Sequence, residues 1–347
     1  MSLFLALALQ GAGLKPEIEE SLVKELQAVA SSKSVAYITS YLKDALKNRD
    51  FLLTFLDAKA KVTCKVTASW DLQQVSFSPD GTMVAALVDT YVGGDPMDVT
   101  DVLVVTKDGL LAKTHLKAGC RFVWAGNNII LEGYADKFPF TRFGPDAELG
   151  VWSTKKIREG GWHFKCSDGN AFWSRQAKDA TKEESLTLVD DMGVVKKSID
   201  IGKRDRIPKL KAPGTPFLLL TSSHYVGDGV GGYDSLFVMD TDTTQELQIA
   251  PELDSLASYV WLSGPRIFGF TLSHALRGQI SFFSPETGKS FTVGPGDMFS
   301  PSCAALDADT VLVVGNNKVY KMVPRKFNFE KMAIPDMPEP DKVYSCR

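Results

Sequence analysis

The chain has 347 residues, enough to bury a large core and long for one ordinary domain. Its 39 basic and 42 acidic residues give a formal net charge of −3, which excludes the strongly basic character of a nucleic-acid-binding protein. The five cysteines are far apart and form no C-x-x-C pair. This spacing argues against a disulfide framework or a structural zinc site, and it favours a reducing, cytoplasmic location.

The N-terminus carries an apolar run over Leu3–Leu9, and the first basic residue after it is Lys15. A secretory signal would place a basic residue before the run, so secretion is the minority interpretation. The run is also far below the roughly 20 residues that span a bilayer, and no membrane span is expected. We therefore expect a short buried helix, packed on the protein or in an oligomer interface.

Residues 1–60 are predicted to form a helical segment. Pro16 followed by acidic residues is typical of a helix start. The apolar residues that then fall at helical spacing are Ile18, Leu22, Leu26 and Val29. Ser34 is a plausible N-cap for a second helix over Val35–Lys47, and Phe51–Phe55 is interpreted as a third. Such short helices cannot bury their own apolar faces, so they should pack on the rest of the chain or join subunits.

A different pattern begins near residue 61 and is clearest in Val75–Val88. Apolar residues alternate with others on both sides of Ser78-Pro79-Asp80-Gly81, which is typical of a β-hairpin. Proline fixes φ for the turn, and glycine accepts a positive φ without a steric penalty. Similar hairpins recur every 40 to 50 residues or so, the spacing of propeller blades. The six hairpins span Val75–Val88, Arg121–Gly133, His163–Trp173, Ile207–Ser222, Tyr259–Thr271 and Ser302–Val314.

Each hairpin is followed by further strands, and four strands make one blade of a β-propeller. The predicted fold is an all-β, six-bladed propeller over residues 61–335, with an extended tail at 336–347. A seventh blade would form if Phe51–Ser69 and Lys326–Ile334 joined in one sheet. Alternatively, one of these segments supplies the outer strand that closes the ring.

The Ser-Pro-Asp-Gly hairpin resembles the WD40-like repeats of TolB and of the prolyl-oligopeptidase propellers. The resemblance covers residues 70–330 as a repeat pattern and implies a propeller fold. The hydrolase domain of the prolyl-oligopeptidase family has no counterpart in the chain, so the resemblance does not imply peptidase activity.

Propellers bind at the mouth of the central channel, and the ends of the second strands carry polar residues there. The predicted rim residues are Asp89, Asp136, Arg175, His224, His274 and Asn316. His224 and His274 follow similar Thr/Ser-rich stretches in consecutive blades, so two imidazoles would lie side by side. With Asp89 or Asp136 they could bind a metal or move a substrate proton. The alternative is that they are solvated loop residues, and no metal site is assigned to them.

Two functions fit these observations. The first is a non-enzymatic binding or scaffold protein. Its propeller would hold a protein partner, and its N-terminal helices would dock the whole protein. The second is a lactonase-like hydrolase or lyase with a His/Asp site at the channel mouth. No nucleotide or metal motif is complete, so no cofactor is expected.

Overall fold

The structure is a computed structural model, and it describes residues 14, 16–42, 50–69, 72–92, 95–116, 120–133, 140–158, 166–177, 184–225, 232–253, 256–272, 279–293, 301–326, 328–334 and 337–346. Over these residues the chain forms one α-helix, α1 (Pro16–Ala30), and 28 β-strands in seven four-stranded antiparallel sheets. The predicted all-β propeller is therefore confirmed. It has seven blades, the number given as the alternative to six.

The strands follow one another blade by blade. The first three strands, β1 to β3, are Ala36–Tyr41, Asp50–Leu56 and Val62–Ser69. Blade 1 contains β4 to β7, which are Leu72–Phe77, Met83–Val92, Asp95–Thr106 and Gly109–Leu116. Blade 2 contains β8 to β11, which are Cys120–Ala125, Asn128–Gly133, Phe140–Asp146 and Val151–Arg158. Blade 3 contains β12 to β15, which are Cys166–Asp168, Ala171–Ala177, Glu184–Asp190 and Val195–Gly202.

The remaining blades continue this order. Blade 4 contains β16 to β19, which are Ile207–Lys211, Phe217–Tyr225, Gly232–Asp240 and Glu246–Leu253. Blade 5 contains β20 to β23, which are Leu256–Leu262, Ile267–Leu272, Ile280–Ser284 and Lys289–Val293. Blade 6 contains β24 to β27, which are Ser302–Ala305, Val311–Gly315, Lys318–Val323 and Asn328–Met332. A 3-10 turn at Pro324–Lys326 precedes β27, and β28 (Pro340–Ser345) is the last strand.

The two ends of the chain build blade 7 together. Strand β28 is its innermost strand and pairs antiparallel with β1, placing Ser345 opposite Ala36 and Val343 opposite Ile38. Strands β2 and β3 complete the sheet. The predicted partner segment 326–334 instead supplies β27, the outer strand of blade 6. The C-terminal tail therefore closes the ring by pairing with the edge of β1, which would otherwise be open.

The helices predicted over Val35–Lys47 and Phe51–Phe55 are wrong, because β1 and β2 occupy the described parts of these segments. The error has a physical cause. Ile38 packs against blade 6, whereas Tyr37 packs against blade 1. Because both faces of the strand are buried, apolar and polar residues do not alternate, and the apolar spacing imitates a helix.

The hydrophobic core is divided among the seven interfaces between neighbouring blades, with one buried cluster at each. Strand β5 illustrates the arrangement. Met83, Ala85 and Leu87 face blade 2, whereas Val84 and Ala86 face blade 7. Each blade is thus apolar on both faces, as expected for sheets stacked around a ring.

Helix α1 covers the outer part of the interface between blades 7 and 1. The side chains of Leu22, Leu26 and Val29 are buried there, whereas Ile18, predicted on the same face, is 48% exposed. Glu19 pairs with Lys113 of β7 at 2.9 Å. The expectation that this helix packs on the propeller is confirmed. The apolar run at Leu3–Leu9 lies outside the described residues.

The Ser-Pro-Asp-Gly turn of blade 1 is held by the Asp80 carboxylate. Its Oδ1 atom accepts hydrogen bonds from the Ser78 hydroxyl at 2.6 Å and from the Thr82 hydroxyl at 2.8 Å. Burial alone would raise the pKa of Asp80, but hydrogen bonds from Ser78, Thr82 and Asn127 outweigh it and lower the pKa to about 2. Because Asn127 belongs to the corresponding turn of blade 2, this carboxylate also joins two blades.

We expect Asp80→Asn to lower the free energy of unfolding by about 1 kcal/mol at pH 7, a value reduced for solvent screening. A folded-state pKa below the ordinary value contributes stability above pH 4, and this contribution disappears as the pH falls through about 2. Urea unfolding at pH 7, 4.5 and 3 should therefore show the difference from wild type shrinking at pH 3. An equal difference at all three values would assign the effect to turn geometry instead of charge.

Candidate functional site

The residues predicted for the channel rim lie in the last part of second strands or after them, so the topology assigns them to one side of the ring. We call it the connection face, because it carries the connections from second to third strands and from blade to blade. Asp89 lies opposite Thr100 in blade 1, and His224 lies opposite Tyr233 in blade 4. Their side chains, and the whole of Asp136 and His274, lie outside the described residues. The His/Asp site therefore stays a prediction.

The other two rim residues have described side chains. The Arg175 guanidinium is bound by the Glu184 carboxylate of the neighbouring strand and by Asp205, which lies in the connection to blade 4. Asn316 lies exposed in the turn between β25 and β26 with a φ of 49°. Arg175 and Asn316 belong to blades 3 and 6. The ion pairs of Arg175 give it a structural role that joins two blades.

A cleft opens on the connection face between blades 7 and 1, where the ring is closed. It encloses about 240 Å³. One wall comes from β1, β2 and β28, and the other comes from the start of β4. Its aromatic lining consists of Tyr37, Tyr41, Phe51 and Tyr344. Its charged lining consists of Asp341 and Lys342. We call it the closure cleft.

The aromatic wall results from strand periodicity. Tyr37, Thr39 and Tyr41 alternate along β1 and therefore share one face. At the bottom of the cleft Tyr37 is buried, and it stacks on Tyr344 with ring centroids 5.2 Å apart. A second contact joins Tyr37 to Phe55 at 5.1 Å. Nearer the mouth Tyr41 is 49% exposed, and Tyr344 is 42% exposed. Two aromatic rings are thus available to a ligand.

Bulges in the innermost strands place polar residues at the mouth of the cleft. Asp341 is the extra residue between two β28 positions that pair with consecutive residues of β1, and Gln73 is the extra residue in β4. A bulge re-aims the side chain of its extra residue and commonly lies near a functional site. The next residue, Gln74, exchanges two hydrogen bonds with the backbone of Phe122 at 3.0 and 3.2 Å. This exchange fixes the β4 wall against blade 2.

The charge that acts on the phenol groups is the Asp341 carboxylate. Burial raises the pKa of Tyr41, and the charge of Asp341 and a hydrogen bond to its carboxylate raise it further. Burial, Asp341 and Tyr41 likewise raise the pKa of Tyr344. The phenols are therefore neutral at pH 7, and the Tyr41 hydroxyl donates its proton toward the carboxylate. Lys342 is exposed at the edge of the cleft.

Ser40 also lines the cleft and is only 1% exposed. Its hydroxyl has no hydrogen-bond partner among the described residues. By strand alternation its side chain shares the face of Ile38, which packs against blade 6, so this hydroxyl is not directed at the aromatic wall. The cleft thus combines aromatic faces, one carboxylate and hydrogen-bonding groups, a set suited to recognition.

The closure cleft was not predicted from the sequence. The alternation of Tyr37 and Tyr41 around Thr39 is the one local signal for it, but the segment also fits the apolar spacing of a helix. The other half of the wall comes from Asp341 and Tyr344, about 300 residues away along the chain. No local pattern connects the two halves.

The described residues contain no group of three or more His, Cys, Asp or Glu side chains arranged to hold a metal ion. They also include no helix with the length and apolar character needed to cross a bilayer.

No protein-family model and no curated protein matches the chain. Solved structures match at low sequence identity. A candidate 6-phosphogluconolactonase from Bacteroides uniformis ATCC 8492 has a TM-score of 0.54 at 13% identity, covering 90% of this chain and 100% of that chain. A functionally unknown protein from Desulfotomaculum acetoxidans DSM 771 has a TM-score of 0.53 at 10% identity, with coverages of 90% and 99%. The C-terminal WD40 domain of Sif2 has a TM-score of 0.51 at 12% identity, with coverages of 90% and 83%.

Identities this low relate the chain to these proteins by fold alone. The likeness to WD40-type propellers is confirmed, and the described part of the chain shows no hydrolase domain. The chain is thus a seven-bladed β-propeller similar in fold to WD40 domains.

Proposed function

We propose that this protein is a non-enzymatic binding or scaffold protein, and that its closure cleft holds a short segment of a protein partner. The observation that carries the proposal is the pair of exposed tyrosines, Tyr41 and Tyr344, above a rigid aromatic floor at the mouth of the cleft. Tyrosine supplies a large contact area and a polar hydroxyl while losing little side-chain entropy, and it is enriched at protein interfaces.

The size of the cleft supports a partner side chain in preference to a free metabolite. Small-molecule sites typically enclose about 300–1,000 Å³. The closure cleft encloses about 240 Å³ and is open on the connection face. It can therefore take one large anchoring side chain while the rest of the partner lies across the propeller surface.

The cysteines support a reducing compartment such as the cytoplasm. All five are free thiols, and four of them are buried. Burial raises the pKa of Cys303 to about 12, so its thiol stays protonated and unreactive. An oxidising compartment would favour disulfides in an extracellular protein.

The proposal predicts that peptides selected for binding will need an open cleft. Random twelve-residue peptides displayed on phage would be selected on the wild-type protein and then measured as synthetic peptides by fluorescence polarisation. Gln73→Trp places a large ring at the mouth of the cleft. We expect it to weaken binding at least about tenfold, because the anchoring side chain loses its space.

Ser290→Trp is the matched control, because Ser290 is exposed on the outer strand of blade 5. It should leave the dissociation constants unchanged, and both variants should keep the wild-type melting temperature. Peptides that bind Gln73→Trp as tightly as wild type would show that the partner uses another surface.

A further inference from the structure

The chemistry of the closure cleft identifies the anchoring residue that it takes. We infer that the cleft binds the guanidinium group of an arginine in a basic segment of the partner protein. This inference rests on the proposed function and adds the chemical class of the partner residue.

The aromatic rings that line the closure cleft can attract a cation. The rings of Tyr41 and Tyr344 lie exposed at the mouth of the cleft, and Phe51 lines the same space. The face of an aromatic ring is electron-rich and attracts cations. A guanidinium is planar and weakly hydrated, so it stacks on such faces more readily than an ammonium does.

The Asp341 carboxylate gives the closure cleft a negative charge that can pair with a guanidinium. The Asp341 carboxylate projects from a bulge at the mouth and accepts the hydroxyl hydrogen of Tyr41. A carboxylate can accept two parallel hydrogen bonds from one guanidinium, which fixes the orientation of the side chain. Lys342, the other charged residue of the lining, is exposed at the edge, where solvent screens its repulsion of a bound cation.

Contacts within the propeller hold the walls of the closure cleft in place. Tyr37 is held between Tyr344 and Phe55, and the β4 wall is held by the hydrogen bonds of Gln74 to Phe122. The site is therefore largely formed before a ligand arrives, which lowers the entropic cost of binding. The volume of about 240 Å³ admits one side chain.

The inference can be tested by ¹⁹F NMR on protein labelled with 3-fluorotyrosine, with the Tyr41 and Tyr344 resonances assigned from Tyr41→Phe and Tyr344→Phe. The probe is N-acetyl-arginine methylamide. N-acetyl-citrulline methylamide has nearly the same shape without the charge. N-acetyl-lysine methylamide has the charge without the planar guanidinium group. We expect the arginine probe to shift both resonances saturably at millimolar concentration, the lysine probe to bind more weakly, and the citrulline probe not to bind.

Asp341→Asn keeps the shape of the side chain and should weaken arginine binding about tenfold or more. The matched control is Asp108→Asn, in an exposed turn of blade 1, which should bind like wild type. Lys342→Met should strengthen binding about twofold, because it removes a like charge from the edge.

Equal binding of the citrulline or lysine probe, or an unaffected Asp341→Asn, would overturn the arginine assignment. The peptides selected for the proposed function separate the two claims. If they shift Tyr41 and Tyr344 but the arginine probe does not, the cleft binds a partner through another residue type. If neither shifts these resonances, both the inference and the proposed function fail.

Discussion

Deleting residues 340–347 is expected to abolish cooperative folding of the ring. Strand β28 is the inner strand of blade 7, and the deleted segment includes the buried residues Val343 and Cys346. The backbone of Cys346 also accepts a hydrogen bond from Phe77 of blade 1 at 2.7 Å and donates one to Val35 at 2.9 Å. Loss of these contacts costs on the order of 5 kcal/mol or more, comparable with the whole stability of a typical protein. Calorimetry should show a broadened or missing transition.

Two point variants provide a matched comparison. Val343→Asp places a carboxylate in the buried cluster between blades 6 and 7 and should destabilise by about 3–5 kcal/mol. Ser345→Asp places the same group at an exposed position of the same strand, two residues along, and should cost under about 0.5 kcal/mol. A peptide of residues 337–347 added to the truncated protein should restore part of the transition. A truncated protein that melts like wild type would contradict closure by β28.

Replacing Arg206 by methionine is expected to have the second largest effect on stability. The Arg206 guanidinium donates two hydrogen bonds of 2.8 Å to Glu246 and lies 3.6 Å above the ring of Phe237. Both charged side chains are 11% exposed. The variant leaves a mostly buried carboxylate without this partner, which costs about 3 kcal/mol. Chemical denaturation would measure the change.

The exposed pair of Lys24 and Glu20 on α1 is the control. Lys24→Met should change the free energy of unfolding by under about 0.5 kcal/mol, because exposed ion pairs contribute little. The double variant Arg206→Met with Glu246→Gln should recover part of the loss, since the mostly buried carboxylate charge is then removed and Arg204, its more distant partner, is 46% exposed. An Arg206→Met protein as stable as wild type would show that Glu246 is solvated or held well enough by Arg204, whose guanidinium lies 3.9 Å from it.

The propeller could be predicted because its hairpins are local. The turn at Ser78–Gly81 and the strands on either side, β4 and β5, lie within the single short stretch of residues 72–92. The number of blades could not be predicted in the same way. It depends on the pairing of β1 with β28, whose partners are separated by about 300 residues and show no local pattern.

The closure cleft was unpredictable for the same reason. Its walls meet only when Tyr41 from one end of the chain and Asp341 from the other lie in one sheet. The strand that carries Tyr41 has both faces buried, so its apolar residues lack the alternation that would identify it. The rim residues were predictable as polar positions on one face of the ring. That His224 and His274 act together with Asp89 or Asp136 remains a prediction.

If a partner binds at the closure cleft, photo-crosslinking from a single position at its mouth should capture the contact. A benzoyl-phenylalanine would replace Tyr41 at the mouth of the cleft or, as control, Leu111 on the exposed outer strand of blade 1. After irradiation with a selected peptide, mass spectrometry would identify the crosslinked residues. We predict crosslinks from position 41 that disappear in the presence of excess unlabelled peptide, and none from position 111. Crosslinks from position 111 alone would show that the peptide binds elsewhere on the propeller.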